Sequence, residues 1–448
     1  MMTRLRLAFV ASALLLLAFA FPLQVLSGSP HAALLPYAAL CGACLLSWLS
    51  GKRLDAAPAA SRIPQFVVVF LGVVLVNIAW FGVTDGAGWY AAGLGVFIYA
   101  APALYFAYFR YFATECEVRT TLFTVVLIGI ANGAWWAYDS YCKLVPGRID
   151  SYSVMAYEYA LSRGASTMEA EIWWLWPGQR SVGLLESYSV TAAWVAFGCF
   201  AMLAIIPREK HYWRAIVVLV FGLVLVVGSN FTAQIAFICV IGVVELRAYR
   251  VLFGTLPREL QRFLYVATAG LLGVGTVALA YDAQSTAKLA NMIVSKFIYQ
   301  IGLVTGTSHY KANGATYFEG LFEDMAGFFD STRYGPSAYV LGDFITATGR
   351  YGGDFGMLET AHILGLPLAV FTLLALARLL SFAVRSIRTT WTTPSPALFA
   401  TMLVAYVATV EIHYSVWRAK SVLPMIFVAL ALLDKWRASS VRAGGAKN

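Results

Sequence analysis

The chain has 448 residues, 60% of them hydrophobic and only 12% charged, with a mean hydropathy of +0.72 and a formal net charge of +9. A soluble domain carries about a quarter charged residues, so this composition excludes a water-soluble enzyme and reads as an all-α, polytopic membrane protein. The positive balance reads as anchoring at the inner membrane face, not as nucleic-acid binding.

Apolar stretches of roughly 17–25 residues, the length a bilayer crossing needs, place about twelve transmembrane helices. They lie near 7–27, 32–50, 65–83, 90–113, 120–142, 182–206, 213–228, 230–248, 263–282, 353–379, 397–415 and 419–435. The seventh and eighth are short and meet at Gly228-Ser229-Asn230, which predicts a tight hairpin. With the N-terminus inside, about two-thirds of the 32 Lys and Arg fall on the inner side, as the positive-inside bias requires. Both termini are then cytoplasmic, residues 1–448 form one transmembrane domain, and loops 143–179 and 283–352 face the periplasm.

The first five helices read as scaffold. Trp135, Trp136, Tyr138 and Tyr141 gather at the outer end of the fifth, where an interfacial aromatic belt is expected. Loop 143–179 ends in Trp173-Trp174-Leu175-Trp176-Pro177-Gly178-Gln179-Arg180. Its tryptophans either lie against headgroups or stack on sugar rings, and Trp176 is the candidate substrate contact. Arg180 stands just before a helix expected to start at 182. A guanidinium beside the unpaired amides of a helix N-terminus suits phosphate oxygens; snorkelling to headgroups is the alternative. The long loop 283–352 carries an aromatic and acidic run from Tyr317 to Asp330, which predicts short amphipathic helices.

The stretch Arg333–Leu380 organises the rest. It begins as a Gly-rich polar loop with Arg333, Arg350 and Asp354, and passes without a break into the apolar helix 353–379. Glu359 and His362 are i,i+3 neighbours on that helix. Asp354 fits a helix N-cap as well as a general base. Glu411, His413, Arg418 and Lys420 join this set from the last outer turn. Intramembrane charge reads as confined to the outer half, which favours an enzyme over a transporter. The chain has no Walker A motif, no GxGxxG before a strand, no HExxH and no His/Cys cluster; neither a metal nor a cofactor is expected.

The Arg333–Phe371 stretch, with Gly342-Asp343, Arg350, Asp354-Phe355-Gly356 and Gly365-Leu366-Pro367-Leu368, resembles the loop-to-helix signature of the Wzy and WaaL superfamily of O-antigen and exopolysaccharide polymerases and O-antigen ligases. Arg180-Ser181-Val182-Gly183 is similar to the setting of that family's other arginine. The resemblance implies a metal-independent glycosyltransferase of the bacterial inner membrane, working on the periplasmic face. Its substrate would be an oligosaccharide on undecaprenyl diphosphate. Arg180, Arg333, Arg350 and Arg418 would bind it, and Asp354, Glu359 or His362 would be the base. Membrane lipids, a flippase and a chain-length or export protein are the implied partners, without nucleic acid. Ligases carry a His near the place of Asp354, and an arginine where this chain has Gly228-Ser229-Asn230-Phe231. The first departure favours the polymerase branch, in particular one making an exopolysaccharide of the xanthan type; the second leaves open how many arginines hold the diphosphate. A ligase acting on lipid A-core and a polysaccharide flippase are the alternatives.

Overall fold

The computed structural model describes residues 2–50, 62–84, 95–144, 148–175, 181–246 apart from 208 and 229, most of 395–445, and scattered residues in between. Among these the secondary structure is helical, without a strand. The chain forms two compact units. One comprises Met1–Ser50, Thr114–Ile298 and Ile387–Met402, the other Gly51–Ala113, Tyr299–Ser386 and Leu403–Asn448.

In the first unit α1 (Met2–Ala18) bends by 69° into α2 (Ala20–Ser27), and α3 (Leu35–Leu49) follows a 3₁₀ turn opened by Pro30. The helix Glu115–Leu144, α5 in chain order after α4 (Ile63–Thr84) of the second unit, is the spine. Its start is a reciprocal cap: the Glu117 carboxylate accepts the Thr114 N–H at 2.6 Å, while the Thr114 hydroxyl accepts the Glu117 N–H at 3.3 Å, satisfying amides that the first turn leaves open. After α6 (Ser151–Ser162), α7 (Tyr188–Ile205) crosses α5 through bare backbone. A Cβ on Gly129 would lie 2.6 Å from Gly198 Cα, so the Gly129-xxx-Gly133 spacing permits a close approach of the kind small residues provide between membrane helices. The pair α8 (His211–Val227) and α9 (Phe231–Ile241) turns at Gly228 as the sequence predicts, with the Asn230 side chain capping α9 through the Ala233 N–H at 3.2 Å. The Trp136 ring lies so close to Gly228 that an added Cβ would meet it at 2.2 Å.

In the second unit α11 (Leu423–Gly445) follows α10 (Pro396–Val410), whose last turns belong to it. Buried Arg110 pairs with buried Asp434, and the Lys435 ammonium donates to Ala113 O at 2.6 Å. Phe70 meets Phe427 at 6.1 Å and Phe66 meets Phe371 at 5.5 Å between ring centroids.

Among the described residues three helices are long and apolar enough to cross a membrane: Pro30–Leu49, Glu115–Lys143 and Tyr188–Ile205; the bent pair α1–α2 makes a fourth. They fall on the expected spans 32–50, 120–142, 182–206 and 7–27. Shorter apolar helices cover parts of 65–83, 213–228, 230–248 and 397–415. The expected span 263–282 lies mostly outside the described residues; of 353–379, residues 364–374 are described while most of 353–363 are not.

Two boundaries differ from expectation. The helix expected from 182 begins at Tyr188, because Gly183 takes φ +80 and Ser187 supplies the N-cap, accepting the Val190 N–H at 3.2 Å. The helix expected to run unbroken through 353–379 is interrupted at Gly365, whose φ of +76 is incompatible with a continuing right-handed helix. Pro367 then sits in the first turn of the segment that resumes, where its missing N–H costs nothing.

Candidate functional site

In the second unit, the start of the 353–379 segment meets the end of α10. The Gly356 N–H donates to His413 O at 3.1 Å, and the Thr360 hydroxyl donates to the Glu411 carboxylate. Thr360 and Glu411 are each only 2% exposed. A carboxylate taken out of water is tolerated where a donor satisfies it, and the hydroxyl one residue after Glu359 does so here. Next to this contact lies a cavity of about 70 Å³ walled by Phe66, Phe70, Leu364, Val407 and Phe427, with Thr360 and Glu411 in its lining. The site is thus a buried carboxylate and hydroxyl beside apolar space.

All eight residues expected to form the site, Asp354, Glu359, His362, Arg180, Arg333, Arg350, Trp176 and Arg418, lie outside the described residues. Their described neighbours Gly356 and Thr360 are hydrogen-bonded to His413 and Glu411, so two segments of the expected constellation do come together. Arg180 and Trp176 belong to the sequence of the first unit.

There a second polar cluster appears that the sequence reading did not single out. Asp139 and Lys143, 1% and 2% exposed, pair at 3.2 Å on α5, and the Ser181 hydroxyl donates to the same Asp139 oxygen. The Trp136 indole N–H donates to Ser181 O at 2.9 Å. Asn132, fully buried, has neither amide atom hydrogen-bonded. Asn132, Trp136, Asp139 and Lys143 are spaced i, i+4, i+7 and i+11, one stripe of a helix; that polar stripe in an apolar span was the available signal. Asp150 N-caps α6 through the Ser153 N–H at 2.9 Å. Burial pushes its carboxyl up, but the hydrogen bonds from Ser153 and the charge of Lys143 outweigh this and hold it below the ordinary range. Burial raises the Tyr152 phenol.

The chain matches no protein-family model and no curated protein.

Several expectations need correcting here. Trp136 is fully buried and so is not part of an interfacial belt, although Tyr138 and Tyr141 are exposed. Trp174 is neither a headgroup anchor nor a sugar platform: it is 4% exposed, stacked on Phe21 at 5.7 Å and edge-on to Tyr152. Arg180 does not immediately precede a helix, and the Ser187 hydroxyl already takes an amide of the one that follows. Nor is buried charge confined to one end of the helices, since Arg6 pairs with Glu117 at 2.6 Å and Arg214 with Glu245 at 2.5 Å.

Proposed function

We propose that this chain is a membrane glycosyltransferase of the Wzy and WaaL kind, polymerising oligosaccharide repeats carried on undecaprenyl diphosphate at the periplasmic face of a bacterial inner membrane. The observation that supports the reading is the pair of hydrogen bonds from Gly356 to His413 and from Thr360 to Glu411, because the sequence resemblance assigns catalysis to the residues interleaved with Gly356 and Thr360. A carboxylate or imidazole there, Asp354, Glu359 or His362, removes the proton from the acceptor hydroxyl. Arg333 and Arg350 stabilise the diphosphate as it leaves with its charge. Arg180 and Arg418 are the further anion ligands of this reading, and Trp176 its sugar contact.

The twelve-span topology with both termini in the cytoplasm belongs to this proposal. Buried ion pairs support it. Arg6 with Glu117, Arg110 with Asp434 and Arg214 with Glu245 each join helix ends that the alternating topology puts on the inner side. The Asp139–Ser181 bond joins ends assigned to the outer side. Buried charge at both helix ends keeps a flippase as the second reading.

The deciding experiment incubates the purified protein in detergent with a lipid-linked repeat and resolves the products by length. Wild type is expected to give a ladder, and Asp354→Asn, Glu359→Gln or His362→Ala single repeats, the inactive one naming the base. Absence of any transfer by wild type, with the lipid-linked repeat moved across vesicles instead, would establish the flippase reading.

A further inference from the structure

In the second unit the cavity of about 70 Å³ beside the Thr360–Glu411 contact presents an apolar surface throughout, with Phe66 and Phe70 of α4, Leu364, Val407 of α10 and Phe427 of α11 in its walls. Thr360 and Glu411 bond to each other, and what they add to the lining is carbon. Such a surface offers nothing to a sugar, a phosphate or an ordered water, which needs about two to four polar partners. The space is about half the roughly 150 Å³ of an apolar cavity that takes benzene, so it suits a slender chain and not a ring. Leu364 and Leu373 both line it. Nine residues apart, they would point to opposite sides of an unbroken helix, about 180° from each other; the break at Gly365, with φ +76, lets them face the same space. Thr372 and Leu373 are lining residues, while Val370, Phe371 and Leu374 to either side of them are exposed. Phe371 also packs on Phe66, 5.5 Å between centroids. One segment thus separates the cavity from an apolar face that hydrocarbon covers in a bilayer.

We propose that one acyl chain of a surrounding phospholipid enters between α4 and residues 370–374 and rests its methyl end among Phe66, Phe70, Val407 and Phe427. The chain is a structural part of this unit. It restores the dispersion contacts that an empty apolar space forfeits, and it supports Leu364, one turn beyond Thr360. This lipid site does not rest on the polymerase reading, which gives the cavity no part.

The test reconstitutes the full-length protein in phospholipid vesicles that contain a phospholipid with a photoreactive diazirine at the methyl end of one acyl chain. After irradiation the labelled residues are read by mass spectrometry. Bulk lipid reaches the exposed Val68 and Val69, which report the background. Phe70, Val407 and Phe427 are buried and should be labelled by the terminal diazirine but not by one placed next to the headgroup. Val407→Phe displaces about two methylenes and should lower the buried labelling about tenfold, leaving Val68 and Val69 as they were. If that variant fails to fold, Phe427→Leu, which enlarges the space, serves in its place and should raise the buried labelling. Labels confined to exposed residues, or buried labels that neither variant changes, overturn the site. Excess unlabelled farnesyl diphosphate should leave the buried labels in place; their loss, with Val68 still labelled, overturns the acyl assignment in favour of an isoprenoid chain. Transfer activity enters none of these readouts, so failure here leaves the polymerase reading where it stands.

Discussion

Removing the carboxylate of Glu245 should destabilise the first unit more than any surface substitution. The Arg214 guanidinium, 1% exposed, binds Glu245 at 2.5 and 3.2 Å and also donates to Leu203 O at 2.5 Å and Ile206 O at 2.7 Å. Those two carbonyls sit at the C-terminal end of α7, where a helix has no acceptor-satisfying amides of its own, so one side chain closes α7 while α8 and the segment after α9 are tied together. Glu245→Ala leaves the cation buried with carbonyls as its only described partners, and breaking such a pair costs about 3–5 kcal/mol. Glu245→Gln keeps an acceptor of the same shape and should cost about half as much, since a neutral hydrogen bond is roughly half as strong as a charge-assisted one. Thermal unfolding in detergent should show the alanine variant melting roughly 5–10 °C below wild type, with glutamine between them. A loss under about 1 kcal/mol for Glu245→Ala, the value of an exposed pair, would mean that water reaches the guanidinium and would refute the argument.

Gly129→Ala should force α5 and α7 apart, because its Cβ would stand 2.6 Å from Gly198 Cα and backbone cannot rotate away; overpacking of this kind costs about 1–3 kcal/mol, readable as a lower melting temperature that Gly72→Ala, whose Cβ would meet nothing, does not show. Thr360→Val removes the donor to Glu411 at nearly constant volume and should cost about 1.5–3 kcal/mol, measured by unfolding in detergent; an unchanged midpoint would argue against a buried carboxylate there. The Asp150 cap predicts an acid-labile α6: with its folded pKa below the ordinary 3.8, the stabilisation is complete above that value and lost as pH falls through the folded one. Amide exchange of α6 should rise in that acid range, and Asp150→Asn, which caps about equally well without titrating, should flatten the dependence.

Composition and periodicity carry the helical structure of the described residues, the positions of four spans, and the hairpin around Gly228 and Asn230. The misread features are those fixed by distant partners. Val182 and Leu184 continue an apolar run, so nothing local marks the run as non-helical except Gly183; its carbonyls are claimed by Trp136 and Tyr152, far off in sequence, and by Thr191 in the following helix. Trp136 and Trp174 stand where interfacial aromatics stand, and only the folded positions of Gly228 and Phe21 turn them into core. The break at Gly365 was legible, since a glycine two residues before a proline is a stop followed by a start. The same Gly365-Leu366-Pro367-Leu368 run also fits the family signature, so a motif match and a helix break coincide in one tetrapeptide. Of the candidate site, the sequence placed Glu411 and His413 beside the 353–379 segment correctly, while the Asp139 cluster was hidden among residues that each look like ordinary helix-end polarity.

The glycine-to-glycine crossing of α5 and α7 also decides what kind of motion these helices allow. Interdigitated side chains let two helices slip past each other by repacking in small steps, whereas backbone against backbone offers no intermediate rotamers to pass through. Sliding is therefore blocked, and tilting about the crossing point is the soft direction that remains. Gly129 lies about 21 Å from Lys143 and about 18 Å from Glu117 along the axis, so a tilt of about 5° moves either end by roughly 2 Å. One end is held by the Arg6–Glu117 pair and the other by the bonds of Asp139 and Trp136 to Ser181. The crossing is a fulcrum with both arms tethered, and releasing one tether converts a local change in hydrogen bonding into displacement at the far end of the lever.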